Sequence, residues 1–174
     1  MKKCITILIL ILYISLIYTA QNIYAQKSKI LKFTIFFDKN EYNASDNAIL
    51  ISFKLKNISN NQVYVNKRFY LNSDTSDKEY RDAYLEVKSP KGELLPCKVS
   101  YPTGLPRTAD FVLLNPNEEI EAARSRNIKY YYDFNEAGRY KITAIYENAF
   151  GKEIGVDAFK EKIESDTIAI DILK

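Results

Sequence analysis

The segment best suited to recognising a partner runs from Tyr101 to Arg107. It carries two prolines and a glycine in seven residues, which predicts a loop of restricted conformation. Tyr101, Leu105 and Arg107 offer an aromatic ring, an aliphatic side chain and a guanidinium, and aromatic residues and Arg are enriched at interfaces. A rigid loop also loses little conformational entropy on binding. We therefore predict a partner-binding loop, with an ordinary strand connection as the alternative.

The residue types required by several common catalytic sites are missing. The chain has no His, which excludes Ser-His-Asp and Cys-His catalytic pairs and His-based metal sites. Its two cysteines are too few for a thiolate zinc site. The 22 acidic residues include many carboxylate pairs, but the sequence singles out none of them. We predict that the protein is not an enzyme and uses no metal or cofactor.

Two further motifs suggest ligands, but a structural role is the preferred interpretation of each. The acids of residues 74–79 lack the glycine and the regular spacing of known calcium loops, and Lys78 lies among them. The run Tyr130-Tyr131-Tyr132 suggests an aromatic platform for a glycan or a peptide. Alternation along a strand would place Tyr130 and Tyr132 on one face and Tyr131 on the other, where the rings would pack on a half-buried sheet.

The first 25 residues have the composition of a secretory signal peptide. Two lysines precede a nearly uninterrupted apolar run at residues 5–18. This run is shorter than the roughly 20 residues of a membrane-spanning helix and fits the apolar region of a signal peptide. We predict cleavage after Ala25, with Ala20 as the second choice and an uncleaved anchor as the alternative.

Cleavage changes both the charge and the cysteine content. The removed segment holds two Lys and no acid, so the net charge falls from +3 to +1 for residues 26–174. A near-neutral chain of mixed charge carries no signal for nucleic acid, and we expect membrane contact only through an uncleaved signal. Cys97 then remains as the lone cysteine, either half-buried in a strand or acting as a reactive or intermolecularly paired thiol. The predicted location is extracytoplasmic, either secreted or periplasmic.

The elements that must position these side chains are predicted to be β-strands. Apolar and polar residues alternate at residues 31–37 and 49–55, the pattern of strands that pack one face on a core. Further strands are predicted at residues 63–71, 84–88, 94–99, 111–114, 120–122, 139–146 and 167–173. Between the last two, the spacing of apolar residues within 147–166 permits a short helix.

The stretch 135–142 places a glycine and Tyr140 at the start of a late strand. A tyrosine there in an immunoglobulin-type sandwich bonds its hydroxyl back to the preceding corner. With Phe53–Ser59 and Leu113–Glu118, this stretch resembles bacterial extracytoplasmic immunoglobulin-like modules, and it is similar to small proteinase-inhibitor domains of the BsuPI type. The resemblance lies in positions that build a sandwich, so it implies a fold more than a function. The lack of Trp and of a cysteine pair excludes an antibody-type core.

The sequence thus predicts an all-β protein, an immunoglobulin-like antiparallel β-sandwich at residues 26–174 behind a signal peptide at residues 1–25. The predicted function is that of an exported noncatalytic binding or accessory module that engages a protein or a cell-envelope partner. One alternative is a proteinase inhibitor acting through the rigid loop Tyr101–Arg107. The other is a structural subunit assembled by strand pairing, suggested by the alternating terminal strand.

Overall fold

The computed structural model describes residues 30–77 and 81–174. The predicted signal peptide and both cleavage sites lie outside these residues, as do Lys78 and Glu79. Within the described ranges, strands in three sheets and three short 3₁₀ turns make up the regular structure, which confirms the all-β prediction. None of the helical turns in these ranges is long and apolar enough to cross a membrane.

The strands are joined by connections of varied length, the longest of which runs from Lys88 to Phe111. In chain order they are β1 (Leu31–Phe37), β2 (Glu41–Asn43), β3 (Leu50–Asn57), β4 (Val63–Asn66), β5 (Ala83–Lys88), β6 (Phe111–Leu114), β7 (Glu119–Glu121), β8 (Arg126–Asn127), β9 (Gly138–Tyr146), β10 (Ile163–Glu164) and β11 (Ile168–Leu173). The sequence predicted most of these strands and missed β2, β8 and β10.

The first sheet is built around β3. Strand β1 pairs antiparallel with β3 along its whole length, from Leu31 opposite Asn57 to Phe37 opposite Ile51. Strands β7 and β8 pair with other residues of β3, also antiparallel. Every second residue of β3 is buried, so the alternation seen in the sequence is confirmed there.

The second sheet is built around β9. Strand β5 pairs with the second half of β9, from Ala83 opposite Tyr146 to Lys88 opposite Lys141. Strands β10 and β11 also pair antiparallel with β9. Strand β2 joins this sheet through a parallel pairing with β11, which departs from the predicted antiparallel arrangement. A small third sheet consists of β4 and β6.

Aromatic side chains join the first two sheets in the core. The ring of Phe33 on β1 stacks on Phe53 of β3 and is tilted against Tyr146 of β9, both at 5.8 Å between centroids. Phe69, which follows β4, stacks on both phenylalanines at 6.3 Å. All four side chains are at most 2% exposed. Their burial removes a large apolar surface from water, which is the main source of stability. The arrangement is compatible with a β-sandwich.

Tyr140 makes the corner contact that the sequence predicts. Its hydroxyl donates to the carbonyl oxygen of Glu136 (2.9 Å) and accepts from the amide nitrogen of the same residue (3.1 Å). The intervening Gly138 has a φ of 134°, and a Cβ at this position would lie 3.0 Å from the Pro90 side chain. Only glycine fits this approach without a shift.

Two predicted elements are not formed. The strand expected at residues 94–99 is reduced to a bridge between Leu94 and Lys88 and one further hydrogen bond from Leu95 to β5. The ladder ends at Pro96, which has no N–H to donate. The helix expected within residues 147–166 is replaced by a single 3₁₀ turn, Lys152–Ile154.

Candidate functional site

The loop Tyr101–Arg107 is irregular, as predicted, and hydrogen bonds fix it to neighbouring segments. The bonds run from Asn72 Nδ2 to Tyr101 O (2.8 Å), from Arg68 Nη1 to Gly104 O (2.9 Å) and from Arg107 N to the Asp110 carboxylate (2.7 Å). Pro106 is buried, whereas Leu105 is 58% exposed, Tyr101 is 44% exposed and Arg107 is also exposed. The loop therefore presents its three predicted recognition side chains from a backbone that is held in place.

A buried ion pair lies behind this loop. Arg68 donates from Nε to Asp82 Oδ2 (3.1 Å) and from Nη2 to Oδ1 (2.8 Å), and the two side chains are 7% and 2% exposed. Asn66 Nδ2 and the amide of Tyr70 donate to the same carboxylate. Burial raises the pKa of the Asp82 carboxyl, and the Arg68 guanidinium acts in the opposite direction. The network connects the loop backbone to the core.

The described part of the acidic segment agrees with its structural interpretation, because Asp74, Thr75 and Asp77 are exposed, and a buried arginine holds its backbone. Asn72 and Ser73 are buried, and so is Arg81, which donates to the backbone carbonyls of Ser73, Asp74 and Ser76. These bonds all come from Nη1, and Nη2 donates to the Glu147 carboxylate (2.9 Å). The carbonyl oxygens of this segment thus face a guanidinium. Over the described ranges, no group of three or more acidic or cysteine side chains is arranged to hold a metal ion.

The tyrosine run begins at the last residue of a 3₁₀ turn and not in a strand, so the predicted strand-like alternation is wrong. The turn Ile128–Tyr130 begins after Asn127, whose side chain accepts from the amide of Lys129. Tyr130 is 73% exposed, whereas Tyr131 and Tyr132 are buried. The Tyr132 hydroxyl donates to the carbonyl of Leu85 (2.8 Å). Tyr130 is therefore the member of the run that is available to a ligand.

The structure brings the predicted loop and the tyrosine run together at Tyr101. The hydroxyls of Tyr101 and Tyr131 share a hydrogen bond, and their ring centroids are 6.4 Å apart. Burial raises the pKa of the Tyr131 phenol, and its bond to Tyr101 raises it further. A cleft of about 350 Å³ opens here. Its lining consists of Val99, Tyr101, Ser125, Arg126, Asn127, Tyr130 and Tyr131.

Arg126 supplies the positive charge of this cleft. Its Nη1 donates to the carbonyl of Arg124 (3.0 Å), and its charge opposes the rise in the pKa of Tyr131. Nε and Nη2 have no hydrogen-bond or ion-pair partner among residues 30–77 and 81–174. The sequence analysis missed Arg126. The acid-free run 122–132, with three cations beside the tyrosines, is the signal that could have identified it.

Tyr101 also lines a second hollow, but the other two predicted recognition residues line neither. The second hollow has a volume of about 320 Å³ and is lined by Thr75, Ser76, Asp77, Ser100, Tyr101 and Pro102. Leu105 and Arg107 lie farther along the loop, where Thr108 Oγ1 bonds the carbonyl of Ile154 (3.2 Å). The structure thus divides the predicted recognition residues into a cleft residue, Tyr101, and two exposed loop residues.

Cys97 lies close to the cleft but does not line it. It is a free cysteine of intermediate burial, and its Sγ donates to the carbonyl of Val99 (3.3 Å). Half-burial agrees with the structural interpretation of this residue, although the strand expected to carry it is absent.

Comparison with known proteins identifies no family. No model of a protein family matches the chain, and no curated protein matches it. Two solved structures of a β-glucosidase from Listeria innocua, one with glucose and one with gluconolactone, align with 83% of this chain at 11% identity and a TM-score of 0.31. The aligned part is 16% of the β-glucosidase chain. A TM-score this low supports no conclusion about fold or activity.

Proposed function

We propose that the protein is an exported noncatalytic binding module that engages a protein or cell-envelope partner through the cleft at Tyr101. The observation that carries this proposal is the meeting of three features in one cleft. These are a loop residue held by Asn72, the largely exposed side chain of Tyr130 and the edge of the Arg126 guanidinium that has no partner within residues 30–77 and 81–174. Aromatic and Arg side chains on a preorganised surface are typical of recognition sites.

An immunoglobulin-like sandwich is the framework we propose for this cleft. Strands β1, β3 and β7 share one sheet and β5, β9 and β11 share another, which corresponds to the A-B-E and C-F-G strand sets of immunoglobulin domains. The two hydrogen bonds between Tyr140 and Glu136 support the same assignment, because that corner is characteristic of these domains.

Capture from an extract of the source cell envelope tests the proposed function. The full chain is expressed in an exporting host, and the recovered protein is used as bait beside the double variant Tyr101→Ala, Tyr130→Ala. Tyr64→Ala is the matched control, because Tyr64 is also exposed but lies on β4, outside the cleft. A captured molecule is then purified and its affinity measured.

We expect saturable binding that the double variant weakens by about tenfold or more and that the control leaves unchanged. Equal binding by the wild type and the double variant would reject the cleft. A turnover activity that survives purification to homogeneity would reject the noncatalytic assignment.

The hydrogen-bonded loop Tyr101–Arg107 favours proteinase inhibition as a second candidate function. Leu105 is 58% exposed beside Gly104, whose carbonyl is held by Arg68, and a rigid protruding loop is what an inhibitor requires. This candidate predicts slow, tight inhibition of a protease in a panel of serine, cysteine and metalloproteases. The inhibition should be lost in the variant Leu105→Ala, Arg107→Ala. The absence of inhibition across the panel would remove this candidate.

Strand pairing is the least supported alternative. The terminal strand β11 already pairs with β9 over Ile168–Ile172 and with β2 over Asp171–Leu173. Both edges of β11 are paired at Asp171 and Ile172, so only the part at Ile168–Ile170 could add a strand without displacing β2 or β9. Size-exclusion chromatography of the exported protein tests this alternative, and a clean monomer would count against it.

A further inference from the structure

We infer that the cleft lined by Tyr101, Arg126 and Tyr130 binds an acidic saccharide. In this assignment Arg126 receives a carboxylate of the ligand, and the ring of Tyr130 packs against a sugar ring. The inference rests on the proposed function, because it names the ligand class of the same cleft.

The donors of Arg126 provide the first reason. Nη1 is engaged by the carbonyl of Arg124, which fixes one end of the guanidinium. The opposite edge, Nε and Nη2, has no partner in the part of the chain that the structure describes. This edge presents two parallel N–H groups, the geometry that a carboxylate accepts with both oxygens.

Two other polar side chains of the lining, Asn127 and Ser125, are already hydrogen-bonded within the protein. The Oδ1 atom of Asn127 accepts from Ile49 N and Lys129 N, and its Nδ2 donates to the carbonyl of Asn47. Ser125 Oγ is bonded to Ser52 Oγ at 2.6 Å. Arg126 is thus the lining side chain whose charged donors remain available.

Charge complementarity provides the second reason. The lining of the cleft contains a cation and no acidic residue. Arg124 and Lys129 flank the lining residues in sequence and add positive charge, and the Lys129 ammonium is held by the carbonyls of Ala44 and Asp46. Such a surface attracts an anion.

The shape and composition of the lining favour a saccharide over an acidic peptide. Val99 is the single aliphatic residue of the lining, and three tyrosines, Tyr101, Tyr130 and Tyr131, supply the aromatic part of its surface. Tyr130, 73% exposed, presents a broad aromatic surface at the rim. The C–H face of a pyranose ring packs on such a surface while its hydroxyls remain hydrated, because the tyrosine is apolar on its faces and polar at its tip.

Isothermal titration of the exported full-chain product tests the inference. The acidic probes are a galacturonate trisaccharide, a hyaluronan oligosaccharide and a sialylated trisaccharide. Maltotriose is the uncharged saccharide control, and triglutamate is the acidic peptide control. We expect binding of at least one acidic saccharide, no binding of maltotriose, and a loss of roughly tenfold or more in Arg126→Gln, as for one charge-assisted pair.

Matched variants separate the two contacts. Arg126→Lys keeps the charge but not the two-point geometry, so its affinity should fall between those of the wild type and Arg126→Gln. Tyr130→Ala should weaken binding, whereas Tyr130→Phe should not, because the ring face is retained. Arg139→Gln removes an equal charge from β9, where Arg139 pairs with Asp171, and should leave binding unchanged.

Three results would overturn the inference: no binding of any acidic saccharide, equal affinity for maltotriose, or unchanged affinity in Arg126→Gln. Tighter binding of triglutamate would assign the cleft to an acidic peptide instead. In each case, partner capture that still depends on Tyr101 and Tyr130 would leave the proposed function standing, so the two failures are distinguishable.

Discussion

Arg68 and Asp82 form a two-point ion pair that is almost excluded from water, with Nε–Oδ2 and Nη2–Oδ1 distances of 3.1 and 2.8 Å. Between Arg68 and Tyr70, both of which donate to this carboxylate, Phe69 has a φ of 49°. A bulky residue is strained in this region. The carboxylate bonds both neighbours of Phe69 and so holds the strained backbone while the Phe69 ring packs in the core. The same guanidinium bonds Gly104 O, which ties the exposed loop to this point.

Removal of the Asp82 carboxylate is expected to destabilise the protein strongly. Asp82→Ala leaves the Arg68 guanidinium buried without its counter-ion, and breaking a buried pair in this way costs about 3–5 kcal/mol. Denaturant unfolding followed by circular dichroism measures this loss. Asp171→Asn is the control, because Asp171 pairs with Arg139 at the surface and its removal should change stability little. Similar losses in the two variants would contradict the role assigned to Asp82.

Replacement of Tyr140 by Phe should lower the free energy of unfolding by about 1–2 kcal/mol. The change deletes the hydroxyl that bonds Glu136 twice and leaves the buried ring in place. Thermal and denaturant unfolding give the measurement. Tyr130→Phe deletes a hydroxyl from an exposed side chain and should be neutral. A neutral Tyr140→Phe variant would show that the corner bonds contribute nothing net to stability.

The parts of the fold that could be predicted from the sequence are those with a local pattern. Strands β1, β3 and β9 alternate buried residues with less buried ones over much of their length, so period-two patterning located them. Strand β2 has three residues in a polar segment, and it exists because Glu41–Asn43 pair with β11 near the other end of the chain. No local signal encodes such a pairing.

In the candidate site, too, the features with a local sequence pattern could be predicted, and those that depend on distant contacts could not. Its two prolines and glycine identified the loop at Tyr101, because these residues restrict the backbone wherever they occur. Arg126 was missed, because it lines the cleft together with Val99 and Tyr101, which come from a different part of the sequence. The burial of Arg68 and Asp82 could not be predicted either, since charged residues are rarely buried unless paired and the partner lies 14 positions away.

The turn at Asn117 provides a test of backbone strain without any change in the core. Its φ of 66° lies in the left-handed region, which Asn tolerates and β-branched residues do not. Asn117→Gly should leave stability unchanged within roughly 0.5 kcal/mol, whereas Asn117→Val should lower it by about 1–2 kcal/mol. Equilibrium unfolding of both variants gives the comparison, and equal stabilities would reject the assigned conformation.

Four tyrosines should make the folded state sensitive to alkaline pH. Burial is the largest cause of a raised phenol pKa in each of Tyr42, Tyr131, Tyr132 and Tyr146. The folded-state pKa values lie above the unfolded value of about 10, so the native state binds more protons than the unfolded state above this pH. The resulting stabilisation is fully present below about pH 10 and is lost as the pH rises further.

Spectrophotometric titration of the phenolate band, with circular dichroism recorded in parallel, measures this effect. In the native protein, we expect a late ionisation phase that coincides with the loss of β-structure. In concentrated denaturant, all tyrosines should ionise together near pH 10, as expected for solvated phenols. Tyr146→Phe should reduce the amplitude of the late phase, because it removes one buried hydroxyl that bonds the backbone of Asn66. Ionisation of every tyrosine near pH 10 while the β-structure persists would contradict the burial of these four side chains.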